Sequence, residues 1–475
     1  MNRVNVPDPV LARLKSAQPG LLAIGFVFLV SIGIGWAACQ ATFTDTLWAV
    51  AVAVAISVAG ASALAVPELL LGGFLAGMSA WVFLPSELAS RMSGYLMPLT
   101  IALAGLAMLL RYRFRPISID RMGRALLILS GYLFISVLWT SAPQNGLYKA
   151  SAFFLNTVVL YFLVRWAYHR RLVNLWRLVV IIAMLGLLPL TITVMAWTRV
   201  GLDRSASLNY FFISQTKFDV YALTNSLQLA MICATALWLR NGGRMRRWFW
   251  LGLAGMEFWA LVSLGQRAQL AGSLLAFGVL VAARNGLSGF ASFTRRRMGP
   301  RSVFLGVLSV LVLSSIALAF TNKLNLAYMA SDPSISSRFQ FYQWGLTGSV
   351  ERPMLGHGLG SFSFDFFGVD ARVFSHNILV DMLYEGGLVG LVLFLAILYI
   401  AYAYARFLVR NPGANAGLGV LGLALLVGRL FVVMFSADVS SLAIGPWLAM
   451  MTIPASQHSS GLPKVPMVCV AEKKE

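Results

Sequence analysis

Apolar runs of 16 to 27 residues recur along this chain from Leu21 to Ala455. That repetition constrains the fold more than any other feature. About 20 apolar residues, wound as a helix, cross the hydrocarbon of a bilayer. A membrane β-barrel would show short alternating segments instead. Charged residues make up only 11% of the 475, against roughly 25% in a soluble domain. The chain therefore reads as all-α, a polytopic membrane protein forming a single integral membrane domain over 1–475. Candidate spans fall at 20–38, 46–66, 69–84, 95–110, 123–139, 150–166, 173–197, 220–239, 248–264, 268–283, 302–320, 378–404, 416–435 and 441–455. Two of them, 69–84 and 441–455, are short enough to be re-entrant or merged, which gives 12–14 transmembrane helices. No repeat of 20–50 residues is visible.

The net charge of +20 invites a nucleic-acid reading, and its placement removes it. Seven segments hold 26 Lys/Arg against four acids, with Glu68 a fifth acid on the same side: the N-terminus, 111–124, 165–177, 240–247, 284–301, Arg406 with Arg410, and the tail. The alternate loops hold ten Lys/Arg and eleven acids. The whole excess thus lies on one side, as the positive-inside rule requires, and both termini are expected in the cytoplasm. No nucleic-acid partner is expected; membrane lipids are. The three cysteines, Cys39, Cys233 and Cys469, are too dispersed for a disulfide framework or a metal site. The basic N-terminus followed by 21–39 resembles a signal peptide, but Trp36-Ala37-Ala38-Cys39 lacks a small residue three before a cleaved bond, so an uncleaved first span is expected.

One connection is far too long to be passive. Residues 321–375 form an outer loop of about 55 residues. Within it Ser334 to Ser349 carries Phe339, Phe341, Tyr342 and Trp344 and reads as an amphipathic helix on the membrane surface, ended by Pro353. Gly356-His357-Gly358-Leu359-Gly360 follows as a tight turn, or as a backbone cradle for phosphate. The next outer loops in size are Thr198 to Asp219, of about 20 residues, and the tight hairpin Gly265-Gln266-Arg267.

The chemistry concentrates at the end of the long loop. His376 precedes the run 378–404, with Ser375 as the expected N-cap. The positive end of a helix dipole keeps such a histidine neutral and able to accept a proton. The alternative is an interfacial histidine hydrogen-bonded to backbone. Arginine is disfavoured on the outer face, so Arg91, Arg199, Arg204, Arg267, Arg338, Arg352 and Arg372 each need a reason, as does Arg429 inside a span. A cluster of guanidinium forks suits a pyrophosphate; lipid headgroups or ion pairs are the alternatives. No Asp-x-Asp pair or His-x-x-x-His set is present, and Glu351, Asp381 and Glu385 stand apart. A metal-borne pyrophosphate needs clustered carboxylates, so no metal is expected and arginines would stabilise the leaving group. Gly386 and Gly390 have the spacing of a helix-packing face. Glu257, mid-span, fits a buried polar contact or a functional group equally well.

Arg338…Trp344…Pro353…Gly356-x-Gly358…Phe362…His376-Asn377…Glu385-Gly386…Gly390 resembles the C-terminal signature shared by bacterial O-antigen ligases and O-antigen polymerases. Gly265-Gln266-Arg267 resembles the family's short arginine segment ahead of a span, and the polytopic plan with a large periplasmic loop at 321–375 is similar too. The signature covers 263–391. The resemblance implies glycosyl transfer at the periplasmic face of the inner membrane, with no metal and no cofactor. The donor would be a glycan on undecaprenyl pyrophosphate and the acceptor a sugar of lipid A–core. By position His376 would be the base, Arg267 would bind the pyrophosphate with help from Arg338, and Arg204 and Arg429 are further candidates. Asn377, Glu385 and His357 are candidate supporting residues. One dominant loop favours the ligase over the polymerase, which uses the same donor. A transporter or flippase is the reading from another class. It would need inverted repeats and paired broken helices, which the sequence does not show.

Overall fold

The computed structural model describes residues 118–170, 173–200, 220–240, 243–286, 333–371, 373–410, 416–436 and 438–457, with Glu68 and Leu71. Every regular element among them is a helix. In chain order these are α1 (Arg121–Ser136), α2 (Pro143–Phe153), a π-helical segment (Phe154–Val159), α3 (Leu160–His169), α4 (Leu175–Leu185) and α5 (Leu187–Val200). Then come α6 (Val220–Arg240), α7 (Arg244–Ser263), α8 (Arg267–Gly286), α9 (Pro333–Gly348), α10 (Ser361–Phe367), α11 (Ile378–Arg410), α12 (Ala416–Ser436) and α13 (Gly445–Gln457). Five stretches are long and apolar enough to cross a membrane: Arg121–Trp139, Pro143–His169, Leu175–Val194, Ile378–Leu408 and Ala416–Ser436. The chain is a multi-pass, all-helical membrane protein. The expected spans 20–38, 46–66, 95–110 and 302–320, and 69–84 apart from Leu71, lie outside the described residues.

Helix packing follows small residues. Within the bundle lipid and side chains are equally apolar, so close backbone approach drives association. A Cβ on Gly272 of α8 would lie 2.6 Å from the Gly428 carbonyl of α12, and one on Gly422 of α12 would lie 2.6 Å from the Trp447 carbonyl of α13. Gly386 and Gly390 both face the Tyr132 ring of α1, which is the packing role their spacing suggested. Helix α2 starts at Pro143, seven residues before the expected span. Its first turn is capped from a distance: the Asp370 carboxylate accepts from the backbone N–H of Gln144 (3.0 Å) and Asn145 (2.9 Å).

One span is not continuous. Helix α11 breaks at Gly387, whose φ of 62° and ψ of −166° are not helical. The adjacent glycines Gly386 and Gly387 are the only local mark of the break in the sequence. Lipid cannot satisfy the backbone groups such a break exposes; the long loop does. His357 N–H donates to the Tyr384 carbonyl and Gly358 N–H to Glu385, each at 2.9 Å. Leu388 N–H donates to Pro353 (2.8 Å) and Val389 N–H to Met354 (3.2 Å). The Tyr132 hydroxyl donates to the Gly386 carbonyl at 2.6 Å. The loop residues 353–358 thus plug the break. Helix α9 accordingly ends at Gly348, not at Pro353, whose carbonyl serves the plug. Residues 333–376 form a lid over this end of the bundle, called the lid face below.

Gly387 has no substitute. A side chain there would adopt a left-handed conformation and meet the Met354 carbonyl. Gly387→Ala should destabilise the protein by about 2–4 kcal/mol. Gly131→Ala, where an added Cβ meets nothing within 4 Å, should be neutral or gain up to about 1 kcal/mol. Thermal midpoints in one detergent decide it, and equal midpoints for the two variants would refute this account of the break.

Candidate active site

The site forms where the 375–377 turn, α9 and the far end of α12 meet under the lid. Its turn is built by short polar side chains. The Asn377 side chain accepts from the N–H groups of Leu379 (2.9 Å) and Val380 (3.3 Å), so Asn377 is the N-cap of α11. Ser375, expected in that place, instead receives the Asn377 N–H on its hydroxyl at 3.2 Å. The Ser375 N–H donates to Asp381 Oδ1 at 3.1 Å. Held on both sides, His376 adopts φ 64°, and it is the one non-glycine residue with positive φ among those described. Strain of this kind persists only where the surroundings fix it, and it clusters at functional sites.

The His376 ring is set by aromatic neighbours. Phe341 of α9 lies near-parallel to it at 6.2 Å, and Phe374 meets it edge-on at 4.7 Å. Nδ1 is enclosed without a hydrogen-bond partner. The Ser436 backbone faces the ring and, with Asp438, favours its protonated form. Nε2 is the nitrogen left open. Burial, and then the charge of Arg338, push His376 down to about 4. The imidazole is therefore neutral at physiological pH, as expected. The main cause is desolvation rather than the helix dipole.

The last carbonyls of a helix lack intrahelical partners, and here they hold the cations. Arg338 Nη1 donates to the Phe435 carbonyl at 2.7 Å, one residue from Ser436. This brings Arg338 and His376 together, as the sequence suggested. Arg429, two turns back on α12, donates through Nε to the Ser441 carbonyl at 3.1 Å, and its Nη2 reaches the same oxygen. It braces the 438–441 turn. Arg267 opens α8 two residues after Gly265, whose φ of 64° makes the hairpin tip. Helices α8 and α12 pack closely at Gly272 and Gly428. At ~1.5 Å rise per residue, Arg267 and Phe435 then reach similar heights at the lid face. Arg204 lies outside the described residues.

Two candidate residues lie elsewhere. His357 Nε2 contacts the Gly348 carbonyl at 3.0 Å, and its ring stacks on Tyr384 at 4.4 Å. It closes the end of α9 inside the lid, away from His376. The Gly356–Gly360 segment has three left-handed glycines, and the N–H groups of Gly356, His357 and Gly358 are spent on Arg352, Tyr384 and Glu385. It is a turn, with no free cradle. Glu257 sits in α7 against Gly186, fully buried, with no hydrogen bond to either oxygen.

The sequence reading missed Lys149, Asp381 as a contact of the turn, and Asp438. Lys149 Nζ, fully buried, lies 2.7 and 3.0 Å from the two Glu385 oxygens and 3.7 Å from Asp438 Oδ2. Asp438 Oδ1 accepts from the Ser440 hydroxyl at 2.6 Å. An ionisable residue inside a helical span was the available signal. Lys149 escaped because it sits in the polar first turns of α2, before the apolar run. Among the described residues no group of three His, Cys, Asp or Glu is placed to hold a metal ion. The cation among these carboxylates is the chain's own ammonium.

Residues 252–395 match the family model described as O-antigen ligase. The matched region runs from α7 through the first half of α11 and contains Arg267, Arg338 and His376. No curated protein matches the chain.

The His376 shift fixes a pH dependence. Its folded value is depressed from 6.5 to about 4, so the unfolded chain binds more protons between those values. Stability then rises with pH across that window and is lost as pH falls through it. His376→Gln should flatten this slope. Thermal midpoints of wild type and variant at pH 4 to 7 test it; parallel curves would contradict the assignment.

Proposed function

We propose that this chain, a member of the O-antigen ligase family through residues 252–395, transfers a glycan from undecaprenyl pyrophosphate to a sugar hydroxyl of lipid A–core. The reaction would take place at the periplasmic face of the inner membrane, with both termini cytoplasmic and the lid on the periplasmic side. One observation carries this reading: a neutral, half-buried histidine with an open Nε2 stands beside an arginine anchored to the next backbone carbonyl.

His376 Nε2 takes the proton of the acceptor hydroxyl as that oxygen bonds to the anomeric carbon. The bond from that carbon to the pyrophosphate breaks, and undecaprenyl pyrophosphate leaves with the electron pair. Its growing negative charge is met by Arg338 and Arg267, with Arg204 as a further candidate. Arg338 has five N–H donors and its Nη1 bond to Phe435 uses one, so the fork can still take phosphate oxygens bidentately. Arg429 serves by bracing the 438–441 turn, Asn377 by capping α11 and Glu385 through Lys149. The single long loop favours ligase over polymerase.

Purified protein supplied with the lipid-linked donor and lipid A–core, in EDTA, should form a lipid A-linked product. His376→Ala should lower turnover by about 10²–10⁴-fold and Arg338→Ala by about 10²–10³-fold, with both proteins still inserted. Donor lengthening without lipid A–core would establish polymerase instead. Full activity in His376→Ala would remove the base.

A further inference from the structure

Beside the His376 turn lies a charged cluster that the proposed reaction does not touch. Lys149, Asp381, Glu385 and Asp438 come from α2, the first half of α11 and the turn after α12, and all four are fully buried. The Lys149 ammonium sits on both Glu385 oxygens, at 2.7 and 3.0 Å, and 3.7 Å from Asp438 Oδ2. Asp381 Oδ2 and Asp438 Oδ2 have no hydrogen bond. Buried carboxylates in such a place depend on a paired cation.

Each carboxylate bears on His376 from a different side. Asp381 holds the turn through the Ser375 N–H at 3.1 Å. Glu385 lies on the last turn of the same half-helix, just before the Gly387 break. Asp438 stands two residues beyond Ser436, and its charge acts on the ring through space. Lys149 touches none of the reacting groups and joins the two sides.

We propose that Lys149 is a positioning residue for His376: its ammonium clamps Glu385 to Asp438 and so fixes the spacing between the 375–377 turn and the end of α12. Two consequences follow. Without the clamp the ring loses its register against Arg338. A displaced ring gains solvent and moves away from Arg338, the two causes of its low midpoint. The groups facing His376 are Arg338 and Tyr342 from α9, Asp438 from the turn and Asp381 behind Ser375. Removing Lys149 leaves the buried carboxylates without a cation, so they take up protons, and the rise expected at His376 comes from its displaced ring.

The test uses the full chain in detergent, with Lys149→Met, Lys149→Arg and the charge-free pair Lys149→Met with Glu385→Gln. Diethylpyrocarbonate acylates histidine only when its ring is neutral, and mass spectrometry of the peptide carrying His376 reads its midpoint against pH. The wild-type midpoint is expected near 4. Lys149→Met should raise it by at least about one unit, and Lys149→Arg should stay within about half a unit. Where Lys149→Met fails to fold, the double variant is read and should show the same rise, since the clamp between Glu385 and Asp438 is still absent. An unmoved midpoint in a folded variant overturns the proposal. So does undiminished glycan transfer by Lys149→Met, which should lose at least about tenfold in turnover with donor KM nearly constant. The activity arm rests on the ligase reading. If the wild type transfers no glycan, that reading fails, and the labelling arm still decides the role of Lys149.

Discussion

A bilayer gives a broken helix nothing to bond with, and this molecule depends on how it meets that constraint. Gly387 interrupts α11 at the lid face, and the freed backbone groups pair with residues 353–358. The plug makes the lid part of the bundle rather than a loop above it. Gly356 and Gly387 meet so closely that a Cβ on Gly356 would lie 2.5 Å from the Gly387 nitrogen. The arrangement fixes α9 at one end and the His376 turn at the other. Lid, turn and half-helix therefore form one rigid piece, as a site that must hold a base and an arginine in register requires.

Charge is arranged by the same economy of partners. The end of α12 offers carbonyls with no helical donor, and Arg338 and Arg429 take Phe435 and Ser441. The acids of the lid face work as braces. Asp365 receives the Ser141 hydroxyl at 2.7 Å and the Tyr384 hydroxyl at 2.8 Å, and Asp370 caps α2. At the opposite end Asp120 pairs with Arg165 at 2.8 Å and receives the Tyr161 hydroxyl. Each end of the bundle is thus closed by ion pairs and carbonyl contacts that reach across helices.

The helical class was legible because hydropathy and burial in lipid are one property, and the described helices fall where the apolar runs do. The aromatic helix over 333–348 was legible from its composition, whereas the pairing of His376 with Arg338 came only from the family resemblance. Three things were not. The break at Gly387 follows Glu385 at a Gly-Gly pair, and those glycines read equally well as a packing face until the φ of Gly387 is known. The N-cap moved from Ser375 to Asn377 because two side chains competed for one turn. Lys149 and Asp438, far apart in the chain, become partners only when α2 and the end of α12 pack. Such pairs carry no local periodicity.

The π-helical segment Phe154–Val159 between α2 and α3 holds one residue more than an α-helix would. In a regular helix Lys149 and Tyr161, twelve positions apart, would point about 120° away from each other. The extra residue turns that to about 20°, so a single face of one rod carries Lys149 to the lid and Tyr161 to Asp120 at the far end. Thr157, inside the bulge, donates to the Leu442 carbonyl at 2.5 Å and seats the chain that leads from the 438–441 turn into α13. One inserted residue thereby phases two distant charged clusters. Its deletion would be an error of more than a quarter turn in a shaft with a working part at each end.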